Sequence, residues 1–139
     1  MRSPYLQLYI HLVWSTLERA PLIPYEVQKR LYDAICKRCT DLKCTPLAIG
    51  GVEDHIHLLV QLHPSVALAD LVKDIKGATS HLMNHEICPG MNFRWQGAYG
   101  AFSIRANEVS KVRSYILAQT QHHANGVLMS EFEVSETHS

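Results

Sequence analysis

The stretch from Gly51 to Val60, GVEDHIHLLV, puts two histidines one residue apart inside a run that otherwise reads as a buried strand. Side chains alternate faces along a strand, so His55 and His57 project the same way, about 7 Å apart, and can converge on one ion. Ile56, Leu58, Val60 and Leu62 occupy the opposite face and feed a core. The histidine face is then expected to stay open, which makes metal ligation a better account of the pair than two satisfied core imidazoles. Two imidazoles do not complete a site. Further along, Tyr115 and Gln119 stand at i, i+4 on one face of an expected helix, with His122 and His123 following. A glutamine amide oxygen is an uncommon but workable ligand for a hard ion such as Mg²⁺ or Mn²⁺. Taken alone, Tyr115 fits an interface aromatic equally well, and Gln119 a solvated polar residue.

Bringing these groups together requires a particular order of elements. Residues 5–14 alternate, with Leu6, Leu8, Ile10 and Leu12 on one face, and predict a strand. Residues 25–43 carry Val27, Leu31, Ala34 and Ile35 at helical spacing behind Pro24. The segment CTPLAIGGVEDHIHLLVQL predicts two strands joined near Gly51 to Asp54. A helix capped by Ser65 follows, its period kept by Leu68, Leu71, Val72, Ile75 and Leu82. FRWQGAYGAFSIRA predicts a strand kinked or bulged at Gly97 or Gly100. A last helix runs from an Asn107 cap to a stop at Asn125 and Gly126. The order β-α-β-β-α-β-α is an α+β fold: a split β-α-β, ferredoxin-like (RRM-like) antiparallel sheet with an added C-terminal helix that carries Tyr115. Residues 1–126 are expected to form one domain and 127–139 a loose acidic tail.

The 139 residues suffice for one domain with its own core, and 47% apolar against 19% charged residues excludes wholesale disorder. No apolar stretch is long enough to cross a bilayer, and the N-terminus lacks a leader pattern, so a soluble cytoplasmic protein with no membrane partner is expected. Cys36, Cys39, Cys44 and Cys88 lack the second close pair of a zinc ribbon and read as free thiols. Formal charge is zero, but three of the 13 acids lie in a tail after Gly126 that has no Lys or Arg, so the body is mildly basic.

Three blocks together carry a resemblance. EDHIHLLV resembles the histidine-hydrophobe-histidine (HUH) motif, WQGAYGAFS the aromatic-glycine block, and YILAQTQHH the nucleophile helix of the single-tyrosine HUH transposases of single-strand insertion sequences. They stand in that family's order and extend the likeness over nearly the whole chain. The resemblance implies a homodimer that cuts and rejoins single-stranded DNA at hairpin-marked element ends. It further implies that His55, His57 and Gln119 hold a divalent metal, Mg²⁺ or Mn²⁺. Tyr115 would be the nucleophile, forming a 5′-phosphotyrosine and freeing a 3′-hydroxyl. The resemblance also implies that Tyr115 and Gln119 can act across the dimer interface in composite sites; whether the short segment Ala106 to Glu108 lets the last helix return over its own sheet instead is left open by the sequence.

DNA binding must be placed elsewhere. Lys73 and Lys76, one turn apart, together with Arg94, Arg105, Lys111 and Arg113 either form a phosphate track or are scattered solvated charges. Trp95, Tyr99 and Phe102 either stack unpaired bases or fill a core. His122 and His123 are candidates for a general base, equally well read as a surface pair. The rival from another class is a non-catalytic single-stranded nucleic-acid-binding domain on the same RRM-like sheet; a structural metal protein is a third reading.

Overall fold

The computed structural model describes residues 5–119. Four strands, β1 (Tyr9–Ser15), β2 (Thr45–Val52), β3 (His55–Gln61) and β4 (Gly100–Ile104), form one antiparallel sheet in the order β2-β3-β1-β4. With α1 (Tyr25–Asp41) between β1 and β2 and α2 (Leu68–Leu82) between β3 and β4, this is the expected ferredoxin-like arrangement. A third helix, α3 (Val109–Leu117), follows β4.

The two faces of the sheet bury different things. Leu12 and Trp14 of β1 and Ile56, Leu58 and Val60 of β3 pack with Leu31 and Ile35 of α1 and with Leu71 and Ile75 of α2. Arg38 of α1 clamps Asp74 of α2 with two bonds, Nε to Oδ1 at 2.7 Å and Nη2 to Oδ2 at 2.9 Å. The other face carries Ala48 and Leu59, which pack against Val112, Tyr115 and Ile116 of α3. Burial pushes the Cys39 thiol up to about 12, which suits an inert core sulfur.

Several expected boundaries shift, each for a local reason. Leu6 and Leu8 precede β1, which starts at Tyr9. Ser65 does not cap α2; its hydroxyl pairs with His63 Nδ1 at 2.7 Å, and Ala67 precedes the helix. The 93–106 segment is a strand only from Gly100 to Ile104. Its first half is held by side chains: Asn84 donates to Phe93 O and accepts from Phe93 N, and Trp95 Nε1 reaches Thr79 Oγ1. Asn107 is not the cap of the last helix, which opens with a 3₁₀ turn over Ala106–Glu108 in which the Glu108 carboxylate accepts from Arg105 N. The tail, His122 and His123 lie outside the described residues.

The Arg38 guanidinium, by hydrogen bonding, holds the Asp74 carboxyl below the usual carboxylate range. A depressed folded value means that the clamp stabilises the fold above that range and is lost as pH falls through it. Asp74→Ala should therefore melt earlier than wild type at pH 7, and the gap between the two melting curves should narrow as the buffer is taken below pH 4. A gap independent of pH would assign the loss to packing.

Candidate active site

His55 and His57 do share one face of β3, but that face is not open. Both are fully buried, at 0% exposure, and α3 of the same chain covers them. The Ala106–Glu108 segment, which the sequence left open as a limit on the helix's return, does let α3 fold back over its own sheet: one 3₁₀ turn is enough to reverse the chain. The reason lies in β2. Gly50 pairs with His57, and a Cβ built on Gly50 would stand 2.2 Å from the Ile116 carbonyl oxygen. Backbone therefore rests on backbone, which only glycine permits. A β-bulge between Pro46 and Ala48 takes Leu47 out of the ladder, and its carbonyl accepts from Arg113 Nε at 3.2 Å, a second tie for the helix.

Docked in this way, α3 delivers both of its candidate residues. The Tyr115 ring, 3% exposed, meets His57 edge-on with centroids 5.6 Å apart. Gln119, 1% exposed, brings Oε1 to 3.4 Å from His55 Nε2. The His55 and His57 rings are 5.1 Å apart. Tyr115, His55, His57 and Gln119 thus form one cluster within a single chain.

The cluster has partners that sequence reasoning missed. Asp54 Oδ1 lies 2.8 Å from His55 Nδ1, and Arg19 Nη2 reaches Asp54 Oδ1 at 3.3 Å. Burial alone would raise the Asp54 carboxyl, but the hydrogen bonds from His55 and Arg19 outweigh it and hold the group below the usual range. On the other side His11 Nε2 lies 2.9 Å from His57 Nδ1. The available signals were slight: His11 interrupts an apolar run, and Asp54 directly precedes the motif.

The donor set fits a divalent ion. His55 Nε2 and the amide oxygen of Gln119 face each other at 3.4 Å, and an imidazole nitrogen and an amide oxygen are both atoms that a divalent ion can take as ligands. Bonds of about 2.1 Å to one hard ion set neighbouring ligand atoms roughly 3 Å apart. No group of three His, Cys, Asp or Glu side chains stands ready for a metal among the described residues, so the amide of Gln119 is what completes this set.

Of the candidate DNA contacts, Lys73, Lys76 and Arg94 come together around a groove of about 680 Å³ between α2 and residues 92–99. Lys76 is committed within it: its ammonium donates to Gln96 O at 2.8 Å and Ala98 O at 3.1 Å, and burial lowers its pKa. Arg105, Lys111 and Arg113 are exposed, lie apart from that groove on α3 and its lead-in, and Arg113 is tied to Leu47. Tyr99 lines the groove, Trp95 packs on Trp14 and Phe93, and Phe102 lies beside His11. The face on which an RRM-like module would stack bases is taken by α3.

A family model described as "Transposase IS200 like" matches residues 4–119. The chain belongs to the IS200-like transposase family. It is 28% identical over 119 residues to the ISDra2 transposase TnpA of Deinococcus radiodurans, which spans 81% of this chain and 84% of that one. Among solved structures, a transposase-assigned chain from Deinococcus radiodurans superposes with TM-score 0.68 at 25% identity, covering 86% of this chain and 95% of that one. A tyrosine transposase associated with REP elements, bound to a REP hairpin, shares the fold with TM-score 0.65 at 18% identity, over 92% and 74% of the chains. A transposase fold with its C-terminal helix is therefore in hand. No helix among the described residues is long and apolar enough to cross a membrane.

Gly50→Ala tests the docking of α3. The added methyl must push the Ile116 carbonyl away, at a cost of about 1–3 kcal/mol for a forced shift in a packed interface. Chemical denaturation should show that loss, and the neutral control Gly77→Ala, whose Cβ meets nothing within 4 Å, should not.

Proposed function

We propose that this IS200-like transposase cleaves and rejoins single-stranded DNA at hairpin-marked element ends through a 5′-phosphotyrosine intermediate. What supports the reading most is the convergence of Tyr115, His55, His57 and Gln119 in one buried cluster, the residue types that a metal-assisted tyrosine nucleophile requires.

His55, His57 and Gln119 would hold the divalent ion, Mg²⁺ or Mn²⁺. When bound, such an ion offsets charge on the scissile phosphate and on the departing oxygen. The chain's own groups do the rest. The Tyr115 oxygen attacks phosphorus, the bond from phosphorus to the 3′-oxygen breaks, and that oxygen leaves with a proton as a 3′-hydroxyl. Rejoining is the reverse attack by a 3′-hydroxyl, which returns the proton to the phenol. No water or ATP is consumed, since the phosphotyrosine keeps the phosphodiester bond energy. A free phenol titrates near pH 10, so the nucleophile needs its proton removed or offset at neutral pH.

The groove around Lys73 and Arg94 is the proposed track for the DNA backbone, and the body's surplus of base favours it. The protein acts as a homodimer in the cytoplasm. Because each chain's α3 already covers its own histidines, the geometry supports a tyrosine acting on the metal site of the same chain in this arrangement.

Three outcomes are expected. Wild type incubated with Mn²⁺ and a labelled hairpin-bearing single strand should give a covalent band on a denaturing gel, and Tyr115→Phe should lose it by at least about a thousandfold while still binding DNA. Lys73→Ala with Arg94→Ala should weaken DNA binding and flatten its salt dependence by about two phosphate contacts. Co-expressed Tyr115→Phe and His57→Ala chains should stay inactive as heterodimers; recovered activity would show that the tyrosine helices exchange between subunits.

A further inference from the structure

We propose that His11 and Asp54 are positioning residues that fix the hydrogen on Nδ1 of His57 and His55, so that both imidazoles present Nε2 as the ligating nitrogen, and that Arg19 acts through Asp54. This rests on the reading that His55, His57 and Gln119 bind a metal.

The geometry is parallel at the two histidines. His55 Nδ1 is 2.8 Å from Asp54 Oδ1, a carboxylate oxygen placed to accept a hydrogen bond from it. His57 Nδ1 is 2.9 Å from His11 Nε2, and two nitrogens at that separation must share one hydrogen. If it sits on His57, then His57 matches His55 and His11 carries its own hydrogen on Nδ1. A metal-ligating histidine characteristically gives its second nitrogen to such a partner, which sets its tautomer and raises its basicity. The unusual element is that one partner is a second imidazole, placed on β1 at 0% exposure between Leu59 and Phe102 in the ladder.

Arg19 is held by a turn that the chain forms at some expense. Glu18 and Arg19 take φ of 55° and 56°, a left-handed region that neither side chain favours. The turn is pinned on all sides: Thr16 N and Leu17 N donate to Asp54 O and Arg94 O at 2.9 Å, Thr16 Oγ1 donates to Ala20 O at 2.6 Å, and Glu18 N donates to Gln96 Oε1 at 3.1 Å. The result sets Arg19 Nη2 3.3 Å from Asp54 Oδ1 and 3.5 Å from His55 Nδ1. A strained turn that ends on a guanidinium beside the motif is accounted for by orienting Asp54.

Long-range proton–nitrogen spectra of the ¹⁵N-histidine-labelled, metal-free chain read the tautomers directly. His55 and His57 should both carry hydrogen on Nδ1; hydrogen on Nε2 of His57 would overturn the role of His11. Calorimetric titration with Mn²⁺ gives the second readout. His11→Phe and Asp54→Ala should bind Mn²⁺ about 10–100-fold more weakly, while His11→Gln, whose amide oxygen replaces the acceptor, should stay within about threefold of wild type. Arg19→Met should weaken binding in the wild-type background and add nothing to Asp54→Ala. Unchanged affinity in His11→Phe and Asp54→Ala, with binding lost in His57→Ala, sinks this inference alone. Equal binding by wild type and His57→Ala sinks the metal reading beneath it. Should His11→Phe not fold, the tautomer of His57 in wild type and the Asp54→Ala titration still decide.

Discussion

The arrangement depends on one close contact, the Ile116 carbonyl lying on Gly50. A strand residue with any side chain would lift α3 from the sheet, and Tyr115 and Gln119 ride on that helix. Gly50 is also the register partner of His57, so the site where the helix touches the sheet and the site where the imidazole stands are one row of the ladder. Position and chemistry are fixed together. The bulge that frees the Leu47 carbonyl for Arg113 sits farther along the same edge strand and steadies the helix from its other side.

Burial of so many polar groups would be costly if they were separate. His11, His55, His57 and Gln119 are almost fully excluded from water, and each neutral polar group taken from water without partners costs on the order of 1–3 kcal/mol. They are instead linked: Arg19 to Asp54, Asp54 to His55, His55 to Gln119, and His57 to His11. Such a network is stiff, because moving one member strands another. Stiffness suits the proposed site, which would hold a phenol and a metal in one geometry. The groove of Lys73 and Arg94 is built differently, with exposed charges around a loop braced by Lys76, which suits the DNA track proposed for it.

The sequence made the sheet legible because its strands alternate and its helices keep a 3.6-residue period, and both signals are local. It also made legible which residue types would meet, since His55 and His57 share a strand parity and Tyr115 and Gln119 share a helix face. What it did not convey is which surface covers them. The open histidine face was an inference from polarity, and it failed because the cover comes from a helix 50 residues later, admitted by a glycine whose role is visible only when two backbones touch. His11 and Arg19 were overlooked for a related reason: their partners are 46 and 35 residues away. The strand over residues 93–99 was overestimated because Phe93, Trp95 and Tyr99 mimic strand spacing, whereas two of them are held by side chains of α2 and the turn after it.

The central claim is that Tyr115 is the residue that becomes joined to DNA. Trypsin cuts after Arg113, and residues 114–139 hold no Lys or Arg and no tyrosine but Tyr115, so the tryptic peptide that begins at Ser114 isolates Tyr115 from the chain's other five tyrosines. Mass spectrometry of the digested covalent adduct, formed with Mn²⁺ and a single-stranded hairpin substrate, should place the nucleotide mass on that peptide and on Tyr115 within it. Nucleotide on any other peptide, or an adduct that forms undiminished with His57 replaced by Ala, would contradict the account.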